Sequence, residues 1–123
     1  MNPRGFGVLG GITGFSSVAA ATLGRHLRLP SDMAEVVETG ARYQLIHAVA
    51  LALVAVALAR GPNRAMSVAG WLFTAGQIFF PASLYVFALT GNHAWAWVTP
   101  VGGLCYLTAW FALAIGFARP GAP

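Results

Sequence analysis

There is no lysine in this chain, and Asp32, Glu35 and Glu38 are its only acids. Charged residues make up 8% of the 123, against about 25% in a soluble domain. A chain this short needs a charged surface if water surrounds it, so the scarcity of charge excludes an ordinary soluble domain and implies lipid as the solvent. The seven arginines are too scattered for a nucleic-acid footprint, which needs cations clustered on one face. The one cysteine, Cys105, has no internal partner for a disulfide. A glycine-rich phosphate loop, a nucleophile–base pair, paired buried carboxylates and the HxxxH and CxxC spacings are all missing. No enzyme activity, cofactor or metal is therefore expected.

What is there is apolar helix. Residues 6–24, 43–59, 65–89 and 98–118 form four uncharged or nearly uncharged runs, each matching a bilayer core of roughly 30 Å at about 1.5 Å per residue. The first run is longer than the hydrophobic part of a usual signal peptide, so it reads as a retained helix. Between the first two runs lies the main polar stretch. Pro30, Ser31 and Asp32 suggest a capped helix start, and Met33, Val36 and Val37 beside Glu35 and Glu38 suggest a short amphipathic loop helix over residues 31–41. Gly40 is expected to turn the chain into the second span. Pro81 should bend the third, with Gln77 and Ser83 satisfying the interrupted backbone. Trp95 and Trp97 suit an interfacial belt, and Arg119 with a Pro/Gly tail ends the chain.

The expected fold is thus all-α, one integral membrane domain: a four-helix antiparallel bundle, the loop helix joining its first two spans. Both termini then share a side with Arg4, Arg60, Arg64 and Arg119, against Arg25, Arg28 and Arg42 opposite. A count of four against three favours termini in the cytoplasm.

The residues also resemble a known family. Leu23-Gly24-Arg25-His26, then Glu38-Thr39-Gly40-Ala41-Arg42-Tyr43-Gln44-Leu45-Ile46-His47-Ala48 are similar to domain-of-unknown-function family 423, small bacterial inner-membrane proteins that include the eukaryotic transmembrane protein 256. Gly70-Trp71-Leu72-Phe73, Ser83-Leu84-Tyr85, Leu89-Thr90-Gly91 and Thr99-Pro100-Val101-Gly102-Gly103 extend the likeness over nearly the whole chain. Arg25 and Pro81 stand where that family usually carries small residues. The resemblance implies a four-helix protein of the bacterial inner membrane and implies no reaction.

Two sets of residues are candidates for a role. Small residues at four-residue spacing let helices approach closely: Gly7 with Gly11, Gly10 with Gly14, and Thr108, Ala112 and Gly116 in the fourth span. The polar set lies away from the termini. Glu38 and Arg42 have the favourable order for an i,i+4 ion pair. Tyr43 and His47 share a face, with His47 about 6 Å inside the span and Tyr85 at similar depth. A histidine there needs a partner, and Tyr85, Glu38 or a backbone carbonyl would serve. Glu38, Arg42, Tyr43, His47 and Tyr85 are therefore expected to form one hydrogen-bonded layer, with His26 as a further member. His26, His47 and His93 lie on one side, but their spacing is no metal motif. The function expected is a non-enzymatic interaction or accessory subunit, packing in the bilayer as a homo-oligomer or within a larger membrane complex. The alternative is a small transporter or channel for a solute or proton, built around Gln77, Ser83 and Tyr85.

Overall fold

The computed structural model describes residues 1–119, so the Pro/Gly tail beyond Arg119 lies outside the described residues. Five helices follow in order: α1 Pro3–His26, α2 Ser31–Ala59, α3 Arg64–Phe79, α4 Pro81–Thr90 and α5 Thr99–Ala118, with a short 3-10 helix His93–Trp97 before the last. There are no strands among the described residues. Four helical segments are long and apolar enough to cross a membrane: α1, α2, α3 with α4, and the 3-10 helix with α5.

Glycine contacts set the register. Positions where a Cβ would touch the neighbour run Gly7 to Ala55, Gly10 to Ala48 and Ala52, Gly14 to Ala48, and Gly24 to Val37. Rising numbers on α1 meet falling numbers on α2, so the two are antiparallel. Gly76 against Tyr106 and Gly116 against Met66 give the same sense for α3 and α5. The start of α1 and the end of α5 consequently share one end of the bundle. α1 packs chiefly on α2, α2 on α3 and α4, and α3 on α5, which leaves α1 and α5 as the outer helices.

The polar stretch differs from expectation. Residues 31–41 form no separate loop helix; they are the first turns of α2, which runs unbroken for 29 residues. Pro30 occupies the N-cap and no side chain caps the helix. Gly40 makes no turn. It is buried, and a Cβ there would lie 2.8 Å from Cε1 of Tyr85, so glycine serves the close approach of that ring.

Pro81 does divide the third span. Lacking an N–H, it leaves the carbonyl of Gln77 without its helical donor. Phe80 at the junction has φ −87° and ψ −71°, and its own N–H still reaches Gly76 O at 2.8 Å. Ser83 Oγ donates to Phe80 O at 2.8 Å and meets Thr99 Oγ1 of α5 at 2.6 Å. Gly102 lies directly against the Phe80 backbone, so α5 nests into the bend.

Towards the terminal end the core is apolar: Phe6, Leu51, Val54, Met66, Phe73 and Leu113 are buried together. Lipid tails are as apolar as these side chains, so close packing rather than escape from water holds this region. Asn63 fastens the same end, capping α3 through Met66 N at 3.1 Å while donating to Gly116 O of α5 at 2.8 Å. Polar and aromatic side chains concentrate further along the bundle.

Candidate functional site: a polar and aromatic layer across the helices

Two glutamines on neighbouring helices organise this layer. Gln44 of α2 is buried, and its Nε2 donates to Thr13 O of α1 at 3.0 Å. Its Oε1 accepts the Tyr85 hydroxyl of α4 at 2.6 Å. Gln77 of α3, also buried, donates from Nε2 to Gln44 O at 3.0 Å and accepts the Tyr106 hydroxyl of α5 at 2.5 Å. One connected set of hydrogen bonds thus touches all five helices. Gln77 does not patch the backbone interrupted by Pro81; Ser83 binds at that bend instead.

His47 stands beside this network on α2. Its ring stacks on Tyr106 with centroids 3.5 Å apart and planes within 3°. Nδ1 lies 2.5 Å from Tyr43 O, one turn earlier in its own helix. A carbonyl only accepts, so Nδ1 carries the proton. Nε2 then accepts the indole N–H of Trp110 in α5 at 3.0 Å. Both ring nitrogens are occupied in the neutral tautomer. Phe73 completes the cluster, edge-on to Trp110 at 5.2 Å.

His47 also sits deeper than its distance from Tyr43 suggested. Because α2 continues through Gly40, its level is set against α1, where Gly14 faces the adjoining Ala48. That is about 15 Å along α1 from Gly24, near the middle of the bundle.

The single expected layer is divided among three places. Glu38 and Arg42 pair at 3.6 Å with both side chains 62% exposed, a contact worth under about 1 kcal/mol. Tyr43 is exposed, and its ring stacks beside His47 and against Phe80 without its hydroxyl joining the network. Tyr85 bonds Gln44, one turn from His47, so the expected Tyr85–His47 contact is absent. His26 lies exposed at the end of α1. His93 packs on Phe87 at 5.2 Å in the connection before α5. Among the described residues no group of three His, Cys, Asp or Glu is placed to hold a metal ion.

The small residues divide likewise. Gly7, Gly10 and Gly14 face α2, and a Cβ on Gly10 would stand 2.9 Å from Ala48 O. Gly11 has nothing within 4 Å of its Cβ position. Ala112 and Gly116 are buried, whereas Thr108 is exposed and bonds only within its own helix. Sequence reasoning missed Gln44, Tyr106 and Trp110 as members of the layer. One signal was present: Gln44 and Gln77 are the chain's two glutamines, and both fall within apolar helices.

The family described as "Protein of unknown function (DUF423)" matches residues 18–103, a segment that holds Gln44, His47, Gln77 and Tyr85. The chain belongs to that family. It is 33% identical over 123 residues to the UPF0382 inner membrane protein YgdD of Escherichia coli K12, covering 97% of this chain and 93% of the relative. It is 30% identical over 118 residues to the UPF0382 membrane protein YwdK of Bacillus subtilis 168, covering 93% and 96% respectively. A UPF0382 membrane protein of Haemophilus influenzae Rd is 32% identical over 109 residues, covering 85% of this chain and 86% of its own. No solved structure matches. Family membership and four candidate spans together make this a multi-pass protein of the bacterial inner membrane, embedded in the lipid bilayer.

Proposed function

We propose that this protein is a non-enzymatic membrane subunit that associates laterally with other membrane helices, through the outer face of α1. Gly11 carries the reading. Glycine weakens a helix by about 1 kcal/mol relative to alanine, so its presence calls for a local reason. Gly7, Gly10 and Gly14 have one, since α2 lies against them. Gly11 has none among the described residues, because its Cβ position opens outward between the exposed Val8, Ile12 and Phe15. A notch flanked by large apolar side chains is how one membrane helix seats another.

The transport alternative has less support. Gln77, Ser83 and Tyr85 are each engaged in hydrogen bonds within or between helices. Among the described residues no buried side-chain nitrogen or oxygen lacks a partner. A polar path for a solute would need such groups facing one another across water.

Extraction from native membranes in polymer-bounded lipid discs, followed by native mass spectrometry, tests the proposal. The expected result is a dimer or a complex with another membrane protein, lost in Gly11→Leu. A lone monomer that moves a solute or protons when reconstituted into vesicles would replace it with the transport reading.

A further inference from the structure

A groove of about 810 Å³ lies between the second half of α1 and the first half of α2, away from the chain termini. That volume is typical of a small-molecule site. Its lining changes character along its length. Val18 and Leu45 form the inner part, while Arg25 and His26 sit at the rim, with Glu38 and Arg42 on the α2 wall. By the helix register, Arg42 stands about 8 Å inside the level of Arg25, a distance its long side chain covers while reaching outward.

The charges favour an anion. Arg25 and His26 have no acidic partner within salt-bridge distance among the described residues. Glu38 is the one acid in the groove, and its exposed 3.6 Å contact leaves most of the Arg42 guanidinium free. Its neighbours Asp32 and Glu35 do not line the groove. The C-terminal dipole of α1 opposes an anion, so binding depends on Arg25 and His26 at that terminus.

We propose that this groove binds the headgroup of an anionic glycerophospholipid, its phosphate between Arg25, His26 and Arg42 and its first acyl carbons against Val18 and Leu45. A cationic rim above an apolar floor matches an amphiphile entering sideways from the bilayer. Basic pockets between membrane helices hold acidic lipid headgroups by the same means. The site lies apart from the Gly11 notch and does not depend on it.

Thermal unfolding of the full-length protein in mixed micelles tests this, with phosphatidylglycerol compared against phosphatidylcholine and inorganic phosphate. Phosphatidylglycerol should raise the melting temperature and the other two should not. The paired substitution Arg25→Gln and His26→Gln should remove at least half of that rise. Glu38→Gln should enlarge it, and Arg60→Gln at the opposite end should leave it unchanged. The proposal fails if phosphatidylcholine stabilises equally, or if inorganic phosphate reproduces the whole rise. It also fails if Arg60→Gln weakens the response as much as the rim pair does, since the lipid would then be acting on overall charge.

Discussion

Trp110 donates its indole N–H to Nε2 of His47 at 3.0 Å, joining α5 to α2 beside the stack of His47 on Tyr106. The bond fixes which histidine nitrogen is bare, because Nδ1 must donate to Tyr43 O. Removing the ring therefore breaks three contacts at once: the stack on Tyr106 and both hydrogen bonds. His47→Ala should destabilise the protein in detergent by about 1 to 3 kcal/mol, the cost of an unsatisfied buried polar group. His47→Phe, which keeps the stack, should lose less. In a double-mutant cycle with Trp110→Phe, reversible unfolding should show a coupling of about 0.5 to 2 kcal/mol. Additive effects would mean that the indole bond contributes nothing.

The two glutamines carry separate predictions. Tyr85→Phe deletes one donor to Gln44 and should cost about 0.6 to 2 kcal/mol, the range for single interhelical bonds in bilayers. Gln44→Leu should cost more, since Tyr85 and the carbonyl of Thr13 both lose a partner. Unfolding measured by steric trapping in bicelles gives both values, and equal losses would contradict this ordering.

This layer was only partly legible in the sequence. Four apolar runs and the bend at Pro81 can be read from residue order, because each depends on local composition. A backbone carbonyl was among the partners expected for His47, and Tyr43 O is one; its partner on another helix cannot be read so. Trp110 is 63 positions away, and its meeting with His47 follows from helix rotation and register. The depth of His47 was misjudged for a related reason. Gly40 resembles a breaker in isolation, yet the Tyr85 ring is what requires a glycine there.

Glycine substitutions separate internal packing from the outer face. Gly76→Ala would drive a methyl into the Tyr106 ring, and Gly102→Ala into the backbone at Phe80. Each should cost about 1 to 3 kcal/mol, as overpacking does. Gly11→Ala meets nothing and should leave the isolated protein at least as stable as the wild type, with a gain of up to about 1 kcal/mol. Thermal unfolding of the three variants in one detergent makes the comparison. A loss at Gly11 as large as that at Gly102 would contradict the assigned helix rotation.

Metal ions should have no stabilising effect. His26 lies about 18 Å along α1 from the level of His47, and both His47 nitrogens are already engaged. Zinc or copper added to the purified protein should leave its melting temperature unchanged. A rise that disappears in both His26→Ala and His47→Ala would turn the layer into a metal site.

The central claim is that the outer face of α1 meets another membrane helix. Site-specific photo-cross-linking in native membranes tests it directly, with a photoreactive phenylalanine analogue in place of Ile12 or Phe15 on α1, or of Phe111 on α5. Cross-linked species should form at the two α1 positions and not at Phe111. Monomer alone at the α1 positions, or cross-linking of equal strength from α5, would contradict the account.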